Sequence, residues 1–325
     1  MLKIGVQTKG IVTKDIIAKE DMWRGFRRIH DAGFERVDFN LDAFLMNNDV
    51  YAGRLNPFFD KELSEIVNIF AEYKQAMEAY HIQPSQMHAP YPIRVVARPD
   101  VTKYMQTNVI PKSIVVAEAL GVPWVVMHPF KLQYTHGKEQ ERKENLEYFR
   151  LFIPLLRQCG VKICFENLYE SVGGRLVEGV CADPEEAVWY VDTLNAEAGE
   201  ELFGMCLDTG HLQLVKRDHY EYITRLGSRI KLLHIHENDG IGDLHEMPFT
   251  FGSEERPGLN WDGIIRGLRD IKFDGTLSFE TFPCMNAFPH TVGNEVLSVI
   301  HEIGCWLAKQ IEGDKTNVSD KNICA

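Results

Sequence analysis

Short apolar runs alternate along the chain with longer stretches in which apolar residues recur every three or four positions. The runs are Lys3 to Thr8, Arg36 to Leu41, Ile82 to His88, Trp124 to His128, Val161 to Glu166, Phe203 to Asp208, Ile230 to His236 and Thr276 to Glu280. Their brevity and lack of helical period read as buried strands. Between them, Leu63, Ile66, Val67, Phe70 and Met77 recur at helical spacing, as do Leu146, Phe149, Ile153 and Leu156. Asp183-Pro184-Glu185-Glu186 marks a helix start, with an N-cap, a proline at the first helical position and a capping-box glutamate. Pro111 and Pro154 fall inside helical patterns and are expected to kink or shorten them. Strand alternating with helix implies a parallel sheet, and eight such units predict an α/β fold, a single (β/α)8 TIM barrel over residues 1–312 with a polar tail over 313–325. No glycine-rich phosphate loop follows the first run, where Thr8-Lys9-Gly10-Ile11-Val12 stands, which argues against a dinucleotide-binding open sheet.

Composition narrows the function. The 325 residues are 45% hydrophobic and 25% charged, which suits a compact globular chain and excludes disordered or fibrous classes. Thirty-five basic against 47 acidic residues leave a net charge of −12, so no general positive field gathers phosphates, and no nucleic-acid partner is expected. No window approaches the roughly 18 apolar residues of a membrane helix, and residues 1–7 do not read as a targeting segment, so the expected location is cytoplasmic, away from membranes. The seven cysteines sit mostly inside apolar runs such as Ile163-Cys164-Phe165 and Met205-Cys206-Leu207, with Cys324 in the tail, and read as reduced thiols.

Three connections are long: Asp42 to Asp60, Lys131 to Gln140 and Asn167 to Ala182. All fall on the C-terminal face of a barrel, where active sites form. The first carries Phe44, Leu45, Met46, Tyr51, Leu55, Phe58 and Phe59. It reads as a lid or a surface for another subunit, whether a second copy or a small partner, with an extra helix packed on its own barrel as the bland alternative.

The strongest chemical signal is positional. Strands three to eight end in His88, His128, Glu166, Asp208 with His211 beyond it, His236 with His234 before it, and Glu280. In a barrel these ends converge on one mouth, where crowded carboxylates and imidazoles need a cation or shared protons. The favoured ligand set is Glu166, Asp208, His236 and Glu280, holding one divalent ion, with Mn²⁺ first and Co²⁺, Mg²⁺ or Zn²⁺ as alternatives. His234 and His236 are two apart on one strand and share a side, so only one need be a ligand.

The segments Phe165-Glu166-Asn167, Leu207-Asp208-Thr209-Gly210-His211, His234-Ile235-His236-Glu237-Asn238-Asp239 and Ser278-Phe279-Glu280-Thr281 resemble those of the xylose isomerase-like barrels. That superfamily includes sugar phosphate isomerases and epimerases, ketose 3-epimerases and endonuclease IV. By the resemblance, Glu166, Asp208, His236 and Glu280 correspond to the epimerases' metal ligands, and His211 to a substrate-binding group. Where those epimerases carry a substrate-binding arginine, this chain runs Glu237-Asn238-Asp239-Gly240. His88, His128, Asp243 and His245 are similar to further ligands of the trinuclear zinc cluster of endonuclease IV, a phosphodiesterase reading that the acidic charge disfavours.

The expected activity is isomerisation or epimerisation of a sugar or keto-sugar by proton abstraction α to a carbonyl, through a metal-stabilised enediolate. Glu166 and Glu280 are the candidate base and acid, with His211 as a third catalytic group. His88, His128, His234, His245, Asp243 and Arg175 are the candidate substrate-binding residues, and Lys131, Tyr134 and His136 are weaker candidates on the fourth loop. The alternative is a lyase that cleaves a 3-keto-glycoside by the same enolisation, as the barrel subunits of C-glycoside deglycosidases do with a small partner.

Overall fold

The computed structural model describes residues 1–132, 134–252, 258–289 and 292–313. Eight parallel strands form the barrel: β1 (Lys3–Gln7), β2 (Arg36–Asn40), β3 (Gln83–His88), β4 (Trp124–Met127), β5 (Lys162–Glu166), β8 (Phe203–Asp208), β9 (Ile230–His234) and β10 (Thr276–Phe279). They pair in the order β10-β1-β2-β3-β4-β5-β8-β9. The circle is completed beyond β9, where the Ile235 amide donates to Ser278 O at 2.8 Å and the Glu280 amide to Ile235 O at 3.0 Å. The fold is therefore the (β/α)8 barrel that the alternating pattern predicts. His128 and His236 lie just past their strands rather than within them.

Alternation along each strand sorts the interior. Val126, Cys164, Cys206 and Leu232 form a small apolar cluster of their own inside the barrel. Two residues further along four strands stand His128, Glu166, Asp208 and His234, so the interior turns from apolar to ionisable within one step of the pleat. The outer strand faces carry the main core. In the helix Leu63–Ala79, Phe70 and Tyr73 meet Phe39 of β2 with ring centroids 5.7 and 5.6 Å apart, whereas Leu63, expected on that face, is exposed.

The helix at Pro184 starts as expected: Asp183 accepts from the Glu186 amide at 3.0 Å. Glu186 reaches back to the Cys181 amide at 3.1 Å rather than to the N-cap residue. Pro111 follows a π-turn at Met105–Val109 without ending the helix, whereas Pro154 opens a new one after the Gly137–Arg150 helix has stopped. Six cysteines are described, all free. Cys324 and the tail beyond Gly313 lie outside the described residues. No described helix is long and apolar enough to cross a membrane.

The long connections after β2 and β5 fold differently. Leu41–Phe44, Asn47–Ala52 and Pro57–Asp60 are short helical turns, and Phe44, Leu45, Val50 and Phe59 are buried in the main core. The segment thus takes the form of the alternative reading, extra helical turns packed on its own barrel, rather than a lid or a surface for another subunit: among its large apolar residues only Tyr51, 59% exposed, stands out into solvent. The connection after β5 forms an antiparallel hairpin, β6 (Tyr169–Val172) and β7 (Arg175–Glu178).

Candidate active site

Glu166, at the end of β5, is the hub of the mouth. Its Oε2 lies 3.1 Å from His128 Nε2, 3.5 Å from His88 Nε2 and 3.3 Å from His234 Nδ1, and its Oε1 lies 3.2 Å from His211 Nδ1. Glu280 Oε2 reaches the same His234 Nδ1 at 3.2 Å. The two candidate acid–base carboxylates therefore meet across one fully buried imidazole. On the next side, His236 Nε2 sits 3.0 Å from both Asp208 oxygens.

Two flanks extend this centre. On one, His88 and His128 bring their Nε2 atoms within 3.1 Å of each other, with the Tyr91 ring 4.2 Å from that of His128. On the other, Asp243 Oδ2 bridges His211 Nε2 at 3.4 Å and His245 Nε2 at 3.3 Å. A reciprocal pair of backbone hydrogen bonds between Glu237 and Glu246, both 2.8 Å, folds this loop back over the mouth. His245 adopts a left-handed backbone with φ of 52°, a conformation that side chains rarely take and that is found at functional sites.

Local hydrogen bonding explains why Asp-Thr-Gly-His serves this geometry. Asp208 caps the following helix by accepting from the His211 amide at 2.6 Å, so the helix start orients the carboxylate. The Thr209 hydroxyl donates to His236 O at 2.9 Å. Gly210 permits the close approach: a Cβ there would stand 2.0 Å from His236 Cε1. Asn167 ties β5 to β8 through both ends of its amide, donating to Asp208 O at 2.9 Å and accepting from the Asp208 amide at 2.8 Å. Beneath them, His234 Nε2 donates to Asp38 Oδ2 at 3.0 Å, and Gln86 Nε2 donates to the same oxygen at 3.1 Å.

The electrostatics follow from burying carboxylates among imidazoles. Burial works to raise the Glu166 carboxyl, but His128 and His234 hold it well below the usual carboxylate range. Burial likewise opposes the proton of His211, yet Asp208 and Asp243 push it well above 6.5, and His245 rises to about 9 against burial because of Glu280 and Asp243. His128 goes the other way, lowered by burial. His234 Nδ1, His236 Nδ1 and Asp243 Oδ1 are buried without a hydrogen-bond partner among the described residues. Ionisable atoms in four triads, including His88/His128/Glu166, Glu166/Asp208/His234 and His236/His245/Glu280, lie within 4.8 Å of one another. Mixed carboxylate and imidazole donors at this spacing fit a divalent cation, whose binding would compete with protons for the same atoms.

Every residue of the main candidate set reaches this cluster or its cavity except Arg175; of the weaker candidates on the fourth loop, Lys131 lines the cavity and His136 is exposed away from it, while the Tyr134 side chain lies outside what is described. The Arg175 side chain is exposed at the turn of the β6–β7 hairpin and does not line the cavity, so its expected substrate contact is not supported. The cavity measures about 560 Å³ and runs from Glu166, His211 and Glu280 out past Tyr91 and Tyr169 to Tyr51. A larger depression of about 910 Å³ lies at the opposite end, where strand starts such as Arg36, Trp124 and Lys231 surround it, away from the donors. Sequence reasoning missed Asp38, Gln86 and Asn167. Asp38 and Gln86 had a signal: each is polar two positions before a strand end, inside what is otherwise a buried run.

Against this geometry, residues 26–296 match the family of xylose isomerase-like TIM barrels. The chain is 27% identical over 268 residues to the uncharacterized protein y4fM of Sinorhizobium fredii, covering 78% of each. It is 25% identical over 170 residues to a D-psicose 3-epimerase of Enterocloster bolteae, covering 52% of this chain and 48% of that one. A crystal structure of a D-tagatose 3-epimerase-like protein superposes with a TM-score of 0.65 at 18% identity, over 94% of this chain and 100% of that one. The family match spans most of the barrel, from the first helix to the last: the chain belongs to the xylose isomerase-like TIM barrel family.

Proposed function

We propose that the chain is a sugar isomerase or epimerase that moves a proton at a carbon next to a carbonyl. The observation that carries this reading is the pair Glu166 and Glu280, whose Oε2 atoms approach His234 Nδ1 from two strands at 3.3 and 3.2 Å. Two carboxylates converging on one point suit removal of a proton from one face of a substrate carbon and delivery to the other. Glu166, Asp208, His236 and Glu280 would hold one divalent ion, Mn²⁺ first, which supplies Lewis-acid polarisation of the carbonyl oxygen. His211, fixed by Asp208 and Asp243, would orient a hydroxyl, with His88, His128, His245 and Asp243 as further contacts. Similarity to sugar epimerases supports the substrate class.

The test is incubation of the Mn²⁺-loaded protein in D₂O with ketoses, sugar phosphates and 3-keto-glycosides, followed by NMR. Deuterium at a carbon next to the carbonyl is the expected outcome, and full retention of hydrogen overturns the proton-transfer mechanism. Release of an aglycone would identify the lyase alternative, for which the cavity volume, within the roughly 300–1,000 Å³ of drug-sized sites, leaves room.

A second reading, a trinuclear phosphodiesterase, is favoured by the two flanking groups, His88/His128/Glu166 and His211/Asp243/His245. Net charge opposes a duplex partner. Three equivalents of zinc with cleavage of abasic DNA would replace the sugar reading.

A further inference from the structure

Besides its histidines, the cavity is lined among the described residues by three lysine or arginine side chains: Lys9, Arg94 and Lys131. Two are already matched within the protein. Lys9 pairs with Asp42 at 3.0 Å and rests over the Phe282 ring, 4.8 Å from its centroid. Arg94 pairs with Glu144 and lies 4.7 Å from the centroid of Phe130. Lys131 has no ion pair or hydrogen bond for its ammonium among the described residues; its seat is the face of Tyr169, 5.2 Å away.

Lys131 is also held in place. The Phe130 amide donates to Asn145 Oδ1 at 3.0 Å, Asn145 Nδ2 returns a bond to Phe130 O at 2.9 Å, and the Leu132 amide donates to Glu141 Oε2 at 2.7 Å. The residues on both sides are thus clamped to the helix Gly137–Arg150, and the ammonium itself lies over the ring of Tyr169 of β6. A lysine present only to neutralise Glu141 or Glu170 would contact one of them, as Lys9 contacts Asp42. Here no such pair forms, and Glu141 is engaged with the backbone. Desolvation without a counter-ion disfavours the ammonium, and burial lowers its pKa below 10.5 despite the more distant Glu170, Glu141, Glu166 and Asp243. A rigidly presented, partly desolvated cation facing a substrate cavity is preorganised for an anion, which recovers its lost solvation through a charge-assisted hydrogen bond.

We infer that Lys131 binds an anionic group of the substrate, a carboxylate or a phosphate carried by the sugar. This rests on the sugar reading above and narrows it from sugars in general to sugar acids or sugar phosphates. The hairpin supplies the aromatic seat rather than the cation, since Arg175 faces solvent.

The experiment is calorimetric titration of the Mn²⁺-loaded protein with D-fructose, D-fructose 6-phosphate and D-fructuronate, matched as neutral, phosphate and carboxylate probes. At least one anionic ketose is expected to bind about 10- to 100-fold more tightly than fructose, the range of a hydrogen bond to a charged group. Which anion gains tells phosphate from carboxylate. In Lys131→Met, which keeps an unbranched stem without the charge, the preference collapses, and Lys131→Arg retains part of it. Metal content and melting temperature report whether each variant is folded. A readout without any variant is protection of Lys131 from acetic anhydride, read by peptide mass spectrometry: the anionic ketose protects and fructose does not. Equal affinity for all three sugars, or a preference undiminished in Lys131→Met, overturns this assignment while leaving the sugar reading intact. Binding of none of the three overturns both.

Discussion

The mouth of the barrel and the segment Leu41–Asp60 lie on the same face, and both are buried, but by opposite means. The segment hides Phe44, Leu45, Val50 and Phe59 against the outer core, where Phe44 meets Phe58, Phe70 and Tyr73 with centroids 4.8 to 6.0 Å apart. The mouth hides Glu166, Asp208, His234 and His236 at 2% exposure or less, held largely by contacts to other ionisable groups such as His128, His211, Asp38 and Glu280. Burying apolar surface stabilises a fold, whereas burying carboxylates and imidazoles costs desolvation that their mutual attraction offsets incompletely. The comparison teaches that equal burial can have opposite energetic sign: the segment adds stability, whereas the mouth carries a cost that the proposed chemistry would account for.

Changes at the mouth should therefore show in turnover and metal content per folded molecule, and changes in the segment in stability. The largest effect is expected for Glu166→Gln: turnover in the deuterium-exchange assay falls about 10²- to 10⁴-fold, the usual contribution of a general acid or base. Near-normal turnover would remove Glu166 from the proton path. Phe59→Ala, at a fully buried ring, should lose about 3 to 5 kcal/mol in urea denaturation with turnover per folded molecule retained. If turnover falls with it, the segment is not merely structural. Gly210→Ala sharpens the contrast from the other side, because its Cβ would press on the His236 ring. Metal affinity, measured by competition with a chelator, should drop about 10- to 100-fold, as for other changes that disturb ligand orientation. The smallest effect is expected at Tyr51, exposed at the cavity rim: Tyr51→Ser should shift stability by no more than about 0.5 kcal/mol. A larger loss would return Tyr51 to the core with its neighbours.

Much of this contrast was legible in the chain, and its gaps have physical causes. Short apolar runs ending in Glu166, Asp208 and Glu280 placed those residues at the mouth, because parallel strands in a barrel all point their ends the same way. Tyr51 and Phe59, by contrast, belong to one apolar-rich connection and differ in burial only because short helical turns aim one ring inward. Arg175 was drawn to the site by its position in a long loop after β5, but the loop spends those residues on a hairpin whose turn projects outward. Asp38 and Gln86 were passed over because a polar residue inside a strand does not declare its partner until the strands are set side by side.

What the sequence by itself determined is the order of elements, the closed parallel barrel and the ring of donors at its mouth, since these follow from local periodicity and from a topology with few solutions. Tertiary structure alone decided which donors touch: that Glu166 and Glu280 share His234, that Asp243 bridges His211 and His245, and that Lys131 lies over Tyr169 with no ion pair among the described residues. Those contacts join residues far apart in the chain, and a few ångströms separate a bonded pair from a solvated one, a margin that no spacing along the chain encodes.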